Sequence, residues 1–258
     1  MDAAPDAAPV GHVGSSAEGR LLVVVPALNE AASVGQVVSA LHTHVPGADV
    51  VVVDDHSGDA TAAAAAAAGA VVLTLPFTLG VGGAMRTGYT YALRHGYDVV
   101  VQVDGDGQHD VRDLTRLVGA LQHADVVIGA RFADDTPYEV GRARRFAMHI
   151  LAGVMSRVVG TRLTDSTSGY RALGPRAVRL FAEHYPAEYL GDTVEALVIA
   201  RRCGLVITQV PVRMTAREHG RPTQGPIGSA VYLARALVAI ALGLGRRWSG
   251  PSATQADQ

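Results

Sequence analysis

The segment Val99-Val100-Val101-Gln102-Val103-Asp104-Gly105-Asp106-Gly107-Gln108-His109 constrains this chain more than any other. A short Val-rich run closed by glycine predicts a buried strand. Two carboxylates, two residues apart, follow it at once. In an open α/β sheet, ligands sit beyond the carboxyl ends of the strands, so Asp104 and Asp106 arrive at that edge. Two carboxylates at one edge repel each other unless a cation lies between them. A hard divalent cation with oxygen ligands, one that also binds substrate phosphates, meets that need. Asp and Gly are equally ordinary turn residues, so the pair takes its meaning from its surroundings.

Those surroundings predict an α/β protein built on one mostly parallel, Rossmann-like sheet flanked by helices. Strands are expected over residues 21–25, 50–53, 71–75, 99–103, 125–129 and 205–212. Helical patterns lie between most of them, and repeated strand–loop–helix units imply right-handed parallel crossovers. Residues 60–68 are almost pure alanine, the best helix former, with Asp59 as N-cap and Gly69 as C-terminal cap. Residues 78–88 form a Gly-rich loop leading into a helix that ends near His95. Asp110 and Asp113 open another helix, running to about His123. A helix over 142–159 carries Arg142, Arg144 and Arg145 near its start. Cations there oppose the macrodipole, which points to an anionic ligand; a solvated basic face is the alternative.

Several classes are excluded. The first strand ends in Pro26-Ala27-Leu28-Asn29-Glu30, so the dinucleotide fingerprint is missing, and no P-loop occurs. A formal net charge of -2 argues against nucleic-acid binding. A single cysteine, Cys203, rules out a disulfide framework and a Cys-based zinc site. No run reaches the roughly 20 apolar residues needed to span a bilayer. Residues 1–19 lack the features of a secretory signal and are expected to form a disordered leader, with 249–258 a disordered tail. The expected location is cytoplasmic. Residues 229–248 are expected to form an apolar or amphipathic helix, whose apolar run over 236–245 is flanked by Arg235, Arg246, Arg247 and Trp248. It can lie at a membrane interface, pack internally or build a homodimer.

Three further stretches carry candidate chemistry. Thr164 to Arg171 gathers an acid, hydroxyls, a glycine and an arginine able to grip a phosphate bidentately. Asp192 and Glu195 share one face near a helix start, as a general base or as acids that complement the dipole. Arg213, Arg217, His219 and Arg221 make a basic loop after the last strand.

Taken together, Asn29-Glu30, Asp54-Asp55-x-Ser57, the Gly80–Gly88 stretch, Asp104-Gly105-Asp106-Gly107-Gln108-His109, Gly129-x-Arg131, Asp165-x-x-Ser168-Gly169-Tyr170-Arg171 and Val210-Pro211-Val212 resemble a family 2 glycosyltransferase of GT-A fold. The branch it resembles is that of dolichyl-phosphate mannose synthase and the polyprenyl-phosphate glycosyltransferases, over roughly residues 20–225 of an expected domain at 20–228. The resemblance implies an inverting transfer of a hexose from a GDP-, UDP- or dTDP-sugar to a polyprenyl phosphate, with a soluble hydroxyl acceptor as the alternative. It implies that Pro26, Asn29, Glu30 and Asp54 hold the nucleoside, and that Gly83 and Gly105 let backbone approach the donor. It implies that Asp104, Asp106 and Gln108 hold Mg²⁺ or Mn²⁺ against the diphosphate. Arg131, Ser168 and Arg171 would surround the phosphates, Arg217 and Arg221 would close on them, and Asp192 or Glu195 would stand on the acceptor side. Three positions depart from the family's pattern: His56 stands for a usual Gly, Thr78 for a common Asn and Val111 for a usual Pro.

Overall fold

The structure, a computed structural model, describes residues 19–131, 142–186 and 192–214; the side chains of residues 142–147 and 192 stand outside that description. The leader, the 134–141 loop, Arg217, Arg221, the 229–248 helix and the tail therefore lie outside the described residues, as do the side chains of Arg142, Arg144, Arg145 and Asp192.

Seven strands, β1 (Leu21–Ala27), β2 (Asp49–Asp54), β3 (Val71–Thr74), β4 (Val99–Gln102), β5 (Val126–Ala130), β6 (Arg171–Leu173) and β7 (Ile207–Pro211), form one sheet in the order β3-β2-β1-β4-β6-β5-β7. All neighbours are parallel except β6, which runs antiparallel to both β4 and β5. The helices are α1 (Val34–His44), α2 (Thr61–Ala67), α3 (Gly80–Arg94), α4 (Leu114–Ala120), α5 (Arg142–Val159), α6 (Pro175–His184) and α7 (Asp192–Arg202).

The uninterrupted valine runs have a direct cause. Val50 and Val52 pack into a core shared with α1, α2 and α4, while Val51 and Val53 pack into one shared with α3, α5, α6 and α7. A strand covered on both faces needs apolar residues at every position, not at alternate ones. The polyalanine helix α2 adds only small side chains, chiefly Ala65, to its core. It starts one residue later than expected, at Thr61. The Asp59 carboxylate still accepts the Thr61 N–H at 2.9 Å, so the capping bond survives from a neighbouring position.

The chain moves outward from β1 through β2 to β3, then returns to lay β4 on the other side of β1. That reversal is the topological switch point, where ligands of such sheets bind. β1 extends through Pro26, farther than the sequence suggests. Proline is tolerated here because its nitrogen turns toward β4, whose ladder with β1 has ended by Val103 N–H to Val24 C=O.

Two elements have no counterpart in the sequence reading. β6 is three residues long and begins with a buried arginine, and α6 follows it after Gly174 with Pro175 at its first position. The Gly-rich stretch is also corrected: Gly80, Gly82 and Gly83 form the first turns of α3, not a loop. The Asp55 carboxylate makes this possible. It accepts the N–H groups of Leu79 at 2.7 Å and Gly80 at 2.8 Å, capping α3 from a different loop.

Gly88 lets α3 lie directly on β1, since any side chain there would run into Val24. Gly88→Ala is expected to keep the fold but lower its stability by about 1–3 kcal/mol through overpacking, read as a lower urea midpoint with an unchanged slope.

Candidate active site

The switch point brings together the loop after β1, the end of β2 and the loop after β4. In the first, Asn29 adopts a left-handed backbone (φ 55°). Its amide N–H donates to Ser57 Oγ at 2.9 Å, and its side-chain oxygen accepts the Gly58 N–H at 2.9 Å. Glu30 N–H donates to Thr61 Oγ1 at 2.8 Å. Asp54 is buried at the end of β2, where its Oδ1 accepts the Ser57 N–H at 3.2 Å. His56 also sits in the left-handed region, at φ 63°. That conformation explains the glycine expected there, because only glycine adopts it without steric cost.

The loop after β4 carries the acid pair. Gly107 takes φ 75°, and the turn lets Asp106 Oδ1 accept the Gln108 N–H at 3.0 Å. Gly105 packs against Pro26 and Ala27, and its carbonyl accepts Ser33 Oγ–H at 2.8 Å, which joins the loops after β1 and β4. His109 is buried and stacked on Tyr170, with ring centroids 4.7 Å apart. Its Nδ1 accepts the Asp104 N–H at 3.1 Å, so a neutral ring carries its proton on Nε2, 3.6 Å from Asp104 Oδ2. On the other side, Gln102 Nε2 donates to Asp104 Oδ1 at 3.3 Å. Met214 bridges His109, so the chain beyond β7 passes beside this loop.

The arginines are placed differently from the sequence expectation. Arg171 does not face a phosphate. It is 1% exposed, and its guanidinium donates to three carbonyls: Ser168 at 2.9 Å, Thr193 at 3.0 Å and Ser166 at 3.1 Å. It holds the 164–170 loop to the first turn of α7, the helix that carries half-buried Glu195. Ser168 is likewise buried, its hydroxyl accepting the Tyr170 N–H at 3.2 Å, as a turn residue and not a phosphate ligand. Arg131 forms a two-point pair with Asp165, at 2.5 and 3.0 Å, and also donates to Thr167 Oγ1 at 2.9 Å. Arg213 belongs to the frame too: its backbone N–H donates to Asp113 at 2.7 Å, and its guanidinium reaches Asp113 and Asp110. Gly83 is covered by Leu79, which occupies the space of any side chain there, and is packing rather than a donor contact.

Burial alone would raise the Asp165 carboxyl, but hydrogen bonds and charge from Arg131, with help from Thr167, hold it below the ordinary value. Its pairing lies 34 residues away in sequence, and no local pattern announces it.

The fold and site define an α/β glycosyltransferase of GT-A type. Residues 22–178 match the Glycosyl transferase family 2 domain, more than half of the chain, and the chain belongs to that family. It is 33% identical over 240 residues to an undecaprenyl-phosphate mannosyltransferase of Micrococcus luteus, covering 90% of this chain and 97% of that protein. It is 30% identical over 210 residues to a polyprenol monophosphomannose synthase of Mycolicibacterium smegmatis, covering 78% and 79%. Among solved structures, glucosyl-3-phosphoglycerate synthase from Mycobacterium tuberculosis, in complex with Mn²⁺, UDP and glucosyl-3-phosphoglycerate, superposes with a TM-score of 0.69 at 23% identity, over 90% of this chain and 82% of that one.

Arg131→Met strands the buried Asp165 carboxylate and is expected to cost about 3–5 kcal/mol at pH 7. Because the folded carboxyl lies below its usual value of 3.8, the pair's contribution is present at neutral pH and is lost only as pH falls below that value. In the mutant the unpaired carboxyl protonates more easily, so the difference in urea stability between mutant and wild type narrows from pH 7 to pH 4.

Proposed function

We propose that this protein is a divalent-metal-dependent, inverting hexosyltransferase that moves a hexose from a nucleotide sugar to a polyprenyl phosphate. The observation that carries it is the Asp104–Gln108 loop at the switch point, where two acids are set beside one another on a tied backbone. The names of the mannosyltransferase relatives support the acceptor.

The residues present fit a hard cation. Asp104, Asp106 and Gln108 offer oxygen donors. Among the described residues no group of three or more His, Cys, Asp or Glu side chains stands ready to hold a metal alone. Mg²⁺ and Mn²⁺ take oxygen donors of this kind and share their shell with substrate phosphates. Such a cation, when bound, stabilises negative charge on the departing nucleoside diphosphate. The chain's own part is to bind and orient. Pro26, Asn29, Glu30 and Asp54 hold the nucleoside end, where the tie between Asn29 and Ser57-Gly58 keeps two loops at a fixed spacing. Gly105 lets backbone approach the donor. Arg217 and Arg221 supply positive charge from the segment after Met214.

A lipid phosphate is already an anion at neutral pH, so its attack on the anomeric carbon needs no general base. A neutral hydroxyl would need one, and Glu195 or Asp192 would serve. The bond from Arg171 to Thr193 favours keeping this second reading, since it ties the start of α7 to the loop that lies against Asp104. No helix among the described residues is long and apolar enough to cross a membrane, and residues 229–248 are the proposed contact with a lipid surface.

Asp106→Ala is expected to cut release of nucleoside diphosphate by about 10²–10³-fold or more with an unchanged melting midpoint. The assay pairs GDP-, UDP- and dTDP-sugars with a short-chain polyprenyl phosphate, with and without EDTA. Turnover that survives both the mutation and EDTA overturns the metal assignment. Transfer that ignores the polyprenyl phosphate but depends on Glu195 moves the acceptor to a soluble hydroxyl.

A further inference from the structure

We infer that Gln102 and Gly169 are positioning residues for Asp104, an inference that rests on the reading of the Asp104–Gln108 loop as the metal and diphosphate site. Gln102 ends β4 and is 2% exposed. An amide in that place is a poor choice for stability alone. Its Oε1 is buried without a hydrogen-bond partner among the described residues, and an apolar side chain of the same length would leave nothing unsatisfied. What the amide supplies is one donor: Nε2 reaches Asp104 Oδ1 at 3.3 Å. Reversing the amide would set oxygen against oxygen, so only one orientation serves.

Gly169 completes the arrangement from the turn that precedes β6. A Cβ there would stand 2.9 Å from both Asp104 carboxylate oxygens and 3.0 Å from Gln102 Nε2. Only a residue without a side chain lets the carboxylate and the amide lie together against this turn. The strand register fixes this contact, because Gln102 pairs with Arg171. The Arg171 bonds to the Ser166, Ser168 and Thr193 carbonyls then hold the turn that carries Gly169.

The consequence concerns orientation. The Asp104 side chain is 39% exposed and begins a loop, so without support its carboxylate would turn between rotamers. Gln102 takes one oxygen, His109 flanks the other at 3.6 Å, and Gly169 closes the space behind both. The carboxylate therefore meets an incoming cation already aimed. Losing a group that orients a metal ligand in this way typically weakens metal binding by about 10- to 100-fold.

The test titrates Mn²⁺ into the full chain with UDP, and separately with GDP, and follows the free-ion signal by electron paramagnetic resonance. Gln102→Met keeps length and removes the donor. It is expected to weaken Mn²⁺ binding by about 10- to 100-fold with a melting midpoint equal to or above that of wild type. Gly169→Ala pushes on the carboxylate directly and is expected to weaken binding at least as much; it keeps the Gln102 side chain, so it decides the matter should Gln102→Met melt early. Binding within twofold of wild type in both variants, with Asp106→Ala still losing Mn²⁺, overturns this inference and leaves the site reading standing. Wild type and Asp106→Ala that bind Mn²⁺ alike overturn both.

Discussion

A buried guanidinium organises the second half of this sheet. Arg171 opens β6 and makes no ion pair among the described residues; three backbone carbonyls receive its charge instead. Burying an unpaired cation costs several kcal/mol, and charge-assisted bonds of about 1.5–3 kcal/mol each offset it. Those bonds join three pieces of chain: the 166–168 turn, the strand between β4 and β5, and the first turn of α7. Without β6 in its antiparallel slot, β5 and β7 would have no link to β4, and the turn carrying Gly169 would have no fixed position over Asp104.

The same insertion explains the limits of what the sequence discloses. The valine strands are legible because both faces are covered, so their hydrophobic runs are unbroken. The acid pair is legible because a strand end fixes where it must lie. α5 matches the expected 142–159 span. β6 is not legible: Arg171-Ala172-Leu173 shows neither alternation nor β-branched residues, and an arginine at its head reads as a ligand group. Local spacing carries no information about burial, which Arg171 takes from Thr193, 22 residues on. Gly80 to Gly88 misleads for a related reason. Glycine is a weak helix former in isolation, yet the Asp55 cap and the close approach of α3 to Val24 outweigh that preference.

Electrostatics then narrows what can face a diphosphate. Each arginine near the site whose side chain is described is committed to the protein. Arg131 neutralises Asp165, Arg171 is buried against carbonyls, and Arg213 is bound to Asp113 and Asp110. Releasing Arg131 toward a ligand would leave a buried carboxylate alone, at about 3–5 kcal/mol, so it serves the frame first. On the proposed function, the charge of a leaving diphosphate is left to a bound cation and to arginines other than these three. Met214 is bridged to His109, which ties the end of the described chain after β7 to the loop after β4. The Arg213 pairs with Asp110 and Asp113 fix the root of that segment against the acid loop itself. The chain after β7 is thereby held to the same loop that carries Asp104 and Asp106, the pair on which the proposed cation site rests.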